Sequence, residues 1–326
     1  MKTTIPAAGV LWRNIRNPKR HSSLTIWLLL FLLLIPIIII VPEFVRPRNI
    51  ANVLVQMVPL GIVAIGQTYV ILGGGIDLSV GSQISLITII ASSLMSDNPV
   101  NIILVILLCL VLGCIFGMLN GLLLKFFYIP PLITTLCTGY LFQGIAFALH
   151  NSAGGYIPAV LRRVLFASWG ILSVPFALLV LIFCIAWFVL YKTPAGRYIF
   201  ALGGNAEVLN NSGINPGKIR IMTYMVSGLL CAVVGIYLAA RLRSGSAHYG
   251  TDYTLLSITA TVVGGTSMAG GLGSLSGTFA GTILVSMLNN VLNNISFRFN
   301  LQSAFYRDII TGLILVTAMF FYRKRE

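Results

Sequence analysis

Acidic residues are scarce in this chain: Asp and Glu together number 7 among 326 residues, and charged residues of both signs make up 9%. Soluble domains carry about a quarter charged residues, so a water-exposed globule of this size is excluded. Histidine is scarcer still, with His21, His150 and His248 far apart and near the ends of apolar runs. There is no His-Glu-x-x-His and no paired-carboxylate motif. The groups that an intramembrane enzyme gathers around a reacting bond are therefore missing, and the chain is expected to be non-catalytic and metal-free. No Gly-x-x-x-x-Gly-Lys-Ser/Thr phosphate loop is present, so ATP has no cradle here. Cys109, Cys114, Cys137, Cys184 and Cys231 all fall inside apolar runs without a Cys-x-x-Cys pair or a neighbouring His, which fits small buried hydrophobes. No acid stands mid-run to relay protons, against a proton-coupled carrier.

Hydrophobic residues, by contrast, make up 57% of the chain. Runs of about 20 apolar residues cross a hydrocarbon core of about 30 Å as helices, which satisfy their own backbone groups. Ten runs qualify: 24–42, 50–72, 78–96, 100–124, 131–150, 171–191, 220–240, 253–266, 274–293 and 303–322. The eighth is short enough for a half-helix or re-entrant segment. The expected fold is an all-α polytopic membrane protein of about ten transmembrane helices. Lys2, Arg13, Arg16, Lys19 and Arg20 at one end and Arg323, Lys324 and Arg325 at the other place both termini in the cytoplasm by the positive-inside bias. This divides the chain into a basic N-terminal segment (1–23), a membrane domain (24–322) and a basic tail (323–326). The first run is expected to be retained, since no small-residue cleavage site follows it before Pro42, Glu43 and Phe44. The net charge of +14 is scattered around membrane ends rather than gathered on one soluble face, so nucleic acid is not an expected partner.

Three segments interrupt the apolar pattern. Gly73–Ser82 is Gly-rich and contains Asp77, which can cap the helix that follows, with Gly74, Gly75, Ser79 and Gly81 allowing a sharp turn and close helix approach. A second Gly-rich segment, Gly264–Ser274, includes Gly264, Gly265, Gly270 and Gly271 and hints at an internal repeat of the kind transporters use. Between them a polar island, 192–220, is too long for a turn and is expected to dock a partner on the basic, cytoplasmic side.

Together these blocks resemble the permease subunits of bacterial ATP-driven monosaccharide importers, the ribose-type branch of the binding-protein-dependent transport family. The match rests on Gly74–Ser82, on Gly196–Asn205 with Ser212–Asn215, and on Gly264–Ser267 with Gly270–Ser274, supported by Ile129–Leu136 and Leu288–Leu292. The resemblance implies a multi-pass protein of the bacterial inner membrane. It further implies a pathway shared by two permease chains, identical or paralogous, and cytoplasmic ATPase subunits that use ATP and Mg. A periplasmic or extracellular sugar-binding protein would deliver the sugar. The island then becomes a coupling helix, with Gly204, Asn205, Glu207, Gly213 and Ile214 as contacts to the ATPase. The chain departs from the family at Tyr253–Ala260, where many members carry acids, and at Ala206–Asn211, where many are Ala-rich; the first departure counts against assigning ribose itself. Pentoses, hexoses, inositol-like polyols and a furanose-like signalling molecule stay open as cargo.

A sugar needs weak hydrogen-bonding groups along its path. Asn52, Gln56, Gln67, Ser82, Gln83, Asn120, Thr134, Thr135, Gln143, Asn289 and Asn290 stand inside the apolar runs and are candidates either for that lining or for holding helices together. Arg46 and Arg48, Arg162 and Arg163, and Arg241 and Arg243 form basic pairs on the outward side, as docks for acidic patches on the binding protein or as snorkelling anchors in the lipid headgroups. A secondary carrier or channel for a small polar solute is the alternative to the importer.

Overall fold

The computed structural model describes residues 21–40, 42–169, 172–298 and Gly312. Its helices are α1 (His21–Ile40), α2 (Pro47–Leu72), α3 (Val80–Leu94), α4 (Pro99–Phe127), α5 (Pro131–Leu149), α6 (Ala159–Leu165), α7 (Val174–Lys192), α8 (Pro194–Gly204), α9 (Ala206–Asn211), α10 (Pro216–Leu242), α11 (Thr251–Val263) and α12 (Leu275–Arg298). A short antiparallel pair, β1 (Ser168–Trp169) and β2 (Leu172–Ser173), separates α6 from α7. Proline opens α2, α4, α5, α7, α8 and α10 within their first two positions. There its missing N–H costs nothing and its fixed φ suits the first turn.

Among the described residues six helices, α2, α4, α5, α7, α10 and α12, are long and apolar enough to cross a membrane; even the 19 residues of α5 extend about 28 Å. Val100, Ile103, Leu104, Leu107 and Val111 on α4 are exposed, a surface that lipid tolerates and water does not. The expected third and eighth spans differ from the rest. They form α3, of 15 residues, and α11, of 13, about 22 and 20 Å long, too short to cross alone. The irregular stretch before α3 is the expected Gly73–Ser82 interruption, and the helix after it starts at Val80, two residues into the expected run. The expected tenth span, 303–322, lies outside the described residues apart from Gly312.

The two half-length helices meet inside the protein. After α10 the chain turns back along α3, where Ser246 N donates to Thr88 Oγ1 (3.1 Å) and Gly250 N to Ser85 Oγ (2.9 Å). Gly81 N, in the first turn of α3, donates to Thr254 Oγ1 in the first turn of α11 (3.0 Å). The segment that precedes α11 as 73–79 precedes α3 is 244–250, whereas Gly264–Ser274 follows α11. A discontinuous helix pair meeting in the interior is a common transporter device.

At the centre, α10 packs on α2, α3 and α4. Its approach to α4 is backbone to backbone, because Gly113, Gly117 and Gly121 lie one turn apart on one face: a Cβ on Gly121 would stand 2.5 Å from Ile221 Cα, and one on Gly117 2.9 Å from Met225 Cα. In lipid, where apolar burial gives little drive, such close van der Waals contact is what holds helices together.

Candidate translocation and coupling site

The irregular stretch before α3 is held by a buried polar network. Asp77 is wholly buried, its Oδ1 accepting from Ser79 N (3.0 Å) and Ser79 Oγ (2.6 Å) and its Oδ2 from Ser227 Oγ of α10 (2.9 Å). Ser79 Oγ in turn accepts from Gln83 Nε2 (2.7 Å) and Asn120 Nδ2 of α4 (2.8 Å). Its one donor and two acceptor sites are thus all used. Thr138 Oγ1 of α5 donates to Asn120 Oδ1 at 2.6 Å. Thr135 Oγ1 accepts from Leu78 N (3.0 Å) and bonds Ile76 O (3.2 Å), and Tyr224 OH donates to the same carbonyl (3.1 Å). One carboxylate therefore joins the start of α3 to α10 and, through Ser79 and Asn120, to α4 and α5. The residue before α3 is Ser79, whose side chain makes no cap bond. Asp77 takes its backbone N–H from two positions upstream.

The first and second Gly-rich segments and the island converge beneath this network. Gly271 N donates to Leu72 O at the end of α2 (2.9 Å). A Cβ on Gly270 would stand 2.8 Å from Gly74 Cα, and one on Gly203 would overlap Leu72 O and Gly271 N. Gly74, Gly270 and Gly271 have φ of 75°, 88° and 71°, where a side chain is strained. Within the island, α8 ends at Gly204, and Asn205 opens α9 with its Oδ1 accepting from Glu207 N (2.9 Å) and Val208 N (3.1 Å), a full N-cap. Past α9, Gly213 has φ 79° and open space around it, and Ile214 N donates to Leu209 O (3.3 Å), so the turn ends with a glycine cap. Gly264 packs on Gly277, and Gly265 has φ 92°.

The other candidate polar residues are dispersed. Thr134 Oγ1 donates to Pro130 O just before its own helix, Gln143 Nε2 donates to Ala247 O (2.7 Å), and Asn290 exchanges hydrogen bonds with Asn49 (3.0 and 3.2 Å). Asn52 is exposed, and Gln56 and Asn289 are half-buried. Gln67 stands apart, fully buried with neither amide atom bonded. Sequence reasoning missed Ser227, Thr138 and Gly203. The first two were recoverable by asking what could satisfy a carboxylate in apolar surroundings, since Tyr224 and Ser227 lie three apart on one helix face; Gly203 was inside a quoted block with nothing to single it out.

The three arginine pairs share the end of the bundle away from the island. Arg46 and Arg48 precede and open α2, whose far end meets Gly271; Arg241 and Arg243 close α10, which begins beside α9; and Gly154, on the chain leading to α6 with Arg162 and Arg163, bridges Gly245. Arg46 reaches Glu43 at 3.9 Å with both side chains largely exposed, a pair worth little. At the same end Tyr156 donates to Asp97 Oδ1 (2.6 Å), which raises the phenol's pKa.

Comparison with known proteins is concordant. A family model described as the permease component of branched-chain amino acid transport systems matches residues 49–319. The ribose import permease protein of Haemophilus influenzae is 37% identical over 298 residues, covering 89% of this chain and 90% of that protein. The galactose/methyl galactoside import permease protein of Escherichia coli K12 is 33% identical over 272 residues (77% and 81%), and the autoinducer 2 import system permease protein of E. coli O9:H4 is 36% identical over 228 residues (67% and 68%). No solved structure matches significantly.

Proposed function

The chain belongs to the permease family described for branched-chain amino acid transport systems, and from that premise we propose that it forms, as a dimer, the pathway of an importer for a monosaccharide or similar small polyol. It is an ABC-importer permease and a multi-pass protein of the bacterial inner membrane. The sugar class is supported by relatives named for ribose and for galactose and methyl galactoside import. ATP and Mg belong to separate cytoplasmic ATPase subunits, whose hydrolysis powers the cycle, and a periplasmic or extracellular binding protein delivers the cargo. With both termini cytoplasmic, the island lies on the ATPase side and the arginine pairs on the binding-protein side, which agrees with their places at opposite ends of the described bundle.

The observation that carries the mechanism is the glycine junction. The island presents Gly204, Asn205, Glu207, Gly213 and Ile214 to the ATPase, and Gly203 rests on the carbonyl of Leu72 and the amide of Gly271. Movement of the island is thereby passed without slack to both Gly-rich segments and to the Asp77 network that positions the half-helix α3. Asn120 and Thr135 serve that network, whereas Gln67, with its amide unbonded, is the pathway candidate most in need of a partner.

Replacing Glu207 by Arg tests the island. Glu207 sits in the first turn of α9 and is exposed, so reversal costs the helix only about 0.3–1 kcal/mol. Membrane insertion should be unchanged, while ATPase co-purification and uptake fall roughly tenfold. Normal values for both would remove Glu207 from the coupling surface, and wild-type transport without any co-purifying ATPase would favour a secondary carrier. Converting Arg46 and Arg48 together to Glu tests the opposite end. Stimulation of the ATPase by the loaded binding protein should slow several-fold at low ionic strength and recover as salt rises. No change at low salt would leave these arginines as lipid anchors.

A further inference from the structure

A shallow groove of about 230 Å³ runs between α4 and α10, lined by apolar side chains including Val111, Cys114 and Met118 on one helix and Met225 and Leu229 on the other. It opens on the outer surface of the bundle, where Val111 is more than half exposed. Two lysines continue the same faces: Lys125 stands two helical turns beyond Met118, about 10 Å along the axis, and Lys218 two turns before Met225. The two stand at neighbouring points of the helix pair, since a Cβ on Gly217, the residue before Lys218, would lie 2.7 Å from Lys125 Cγ. The sole salt bridge among the described residues joins Arg46 to Glu43, so neither lysine has an acidic partner there. Around them Phe126, Phe127 and Tyr128 are exposed at 63%, 65% and 88%, and Lys125 Nζ stands 5.0 Å from the Phe126 ring. Aromatics in that setting mark headgroup depth.

We propose that this groove is a binding site for an anionic phospholipid, one acyl chain lying between α4 and α10 and the phosphate held by Lys125 and Lys218. The apolar slot ends in two cations that have no acidic partner among the described residues, at the depth of the aromatic belt, which is the pattern of an anionic lipid and not of a neutral one. The bound lipid would brace the helix pair whose glycine contacts form the centre of the bundle. The site requires only that α4 and α10 span the bilayer and is independent of the cargo.

Native mass spectrometry of the full-length protein in detergent, with dioleoylphosphatidylglycerol or dioleoylphosphatidylcholine added, tests it. The wild type should retain phosphatidylglycerol preferentially. Lys125→Gln with Lys218→Gln should weaken that retention about thirty-fold, from the loss of two charges, without changing phosphatidylcholine retention. Val111→Trp, at an exposed position, should reduce retention by filling the slot and serves if the lysine variant fails to fold. Equal retention of the two lipids by the wild type, or phosphatidylglycerol retention unchanged in either variant, would overturn the site. Release of a co-purifying ATPase by the lysine variant with lipid retention intact would likewise overturn it and assign the lysines to a protein partner.

Discussion

Asp77→Ala is expected to remove folded, transport-competent protein, while Asp77→Asn retains most of it. Alanine leaves Ser79 N, the Ser79 hydroxyl proton and Ser227 Oγ without their acceptor inside a fully buried site. At about 1–3 kcal/mol for each unsatisfied buried group, the loss is about 3–9 kcal/mol, a large part of the stability of an ordinary domain. Asparagine keeps an oxygen for the two Ser79 donors and turns its NH₂ toward Ser227, whose hydroxyl can rotate to accept. It also removes a buried negative charge that has no salt bridge to a cation among the described residues. The net cost should be about 1 kcal/mol. Thermal unfolding of the detergent-solubilised protein, followed by uptake from vesicles, separates the two. If both variants melt like the wild type and both lose uptake equally, the negative charge itself is required and the structural role assigned to Asp77 is wrong.

The helical class and the three interrupting segments were legible because composition and glycine content are local properties. Described helices stand at nine of the ten expected apolar runs, six of them long and apolar enough to cross a membrane, and Asn205 and Gly213 bracket α9 because N-cap and glycine-cap chemistry is written in single residues. The failures share a cause. The Gly73–Ser82 break was visible but what holds it was not, because the Ile76 carbonyl and the Leu78 amide find their partners, Tyr224 and Thr135, far along the chain. A hydropathy window cannot register them. The same holds for Ser227 and Thr138, which look like ordinary small polar residues in helices until Asp77 and Asn120 are placed against them. The island was visible as a polar gap, yet the additional helix α8 and its backbone contact with two distant loops were not, because only the tertiary fold brings Leu72, Gly203 and Gly271 together.

That junction gives the sharpest contrast available between adjacent positions. Gly203→Ala should cut uptake at least tenfold, and Gly204→Ala, at the position that faces the ATPase and not the junction, should cut it far less. A Cβ at Gly203 would overlap the Leu72 carbonyl and the Gly271 amide, while one at Gly204 meets nothing within 4 Å. Both residues belong to α8, so alanine's better helix propensity, about 1 kcal/mol, favours the two substitutions alike and cancels from the comparison. What remains is overpacking against backbone, typically about 1–3 kcal/mol, which cannot be relieved by rotating a side chain. Relief requires α8 to move off Leu72 and Gly271, loosening the hydrogen bond between them and with it the contact between the island and both Gly-rich segments. Uptake should therefore fall further than thermal stability, and ATP hydrolysis by the assembled importer should persist while losing its dependence on the loaded binding protein. Equal, wild-type uptake in both variants would show that the island does not act through this contact.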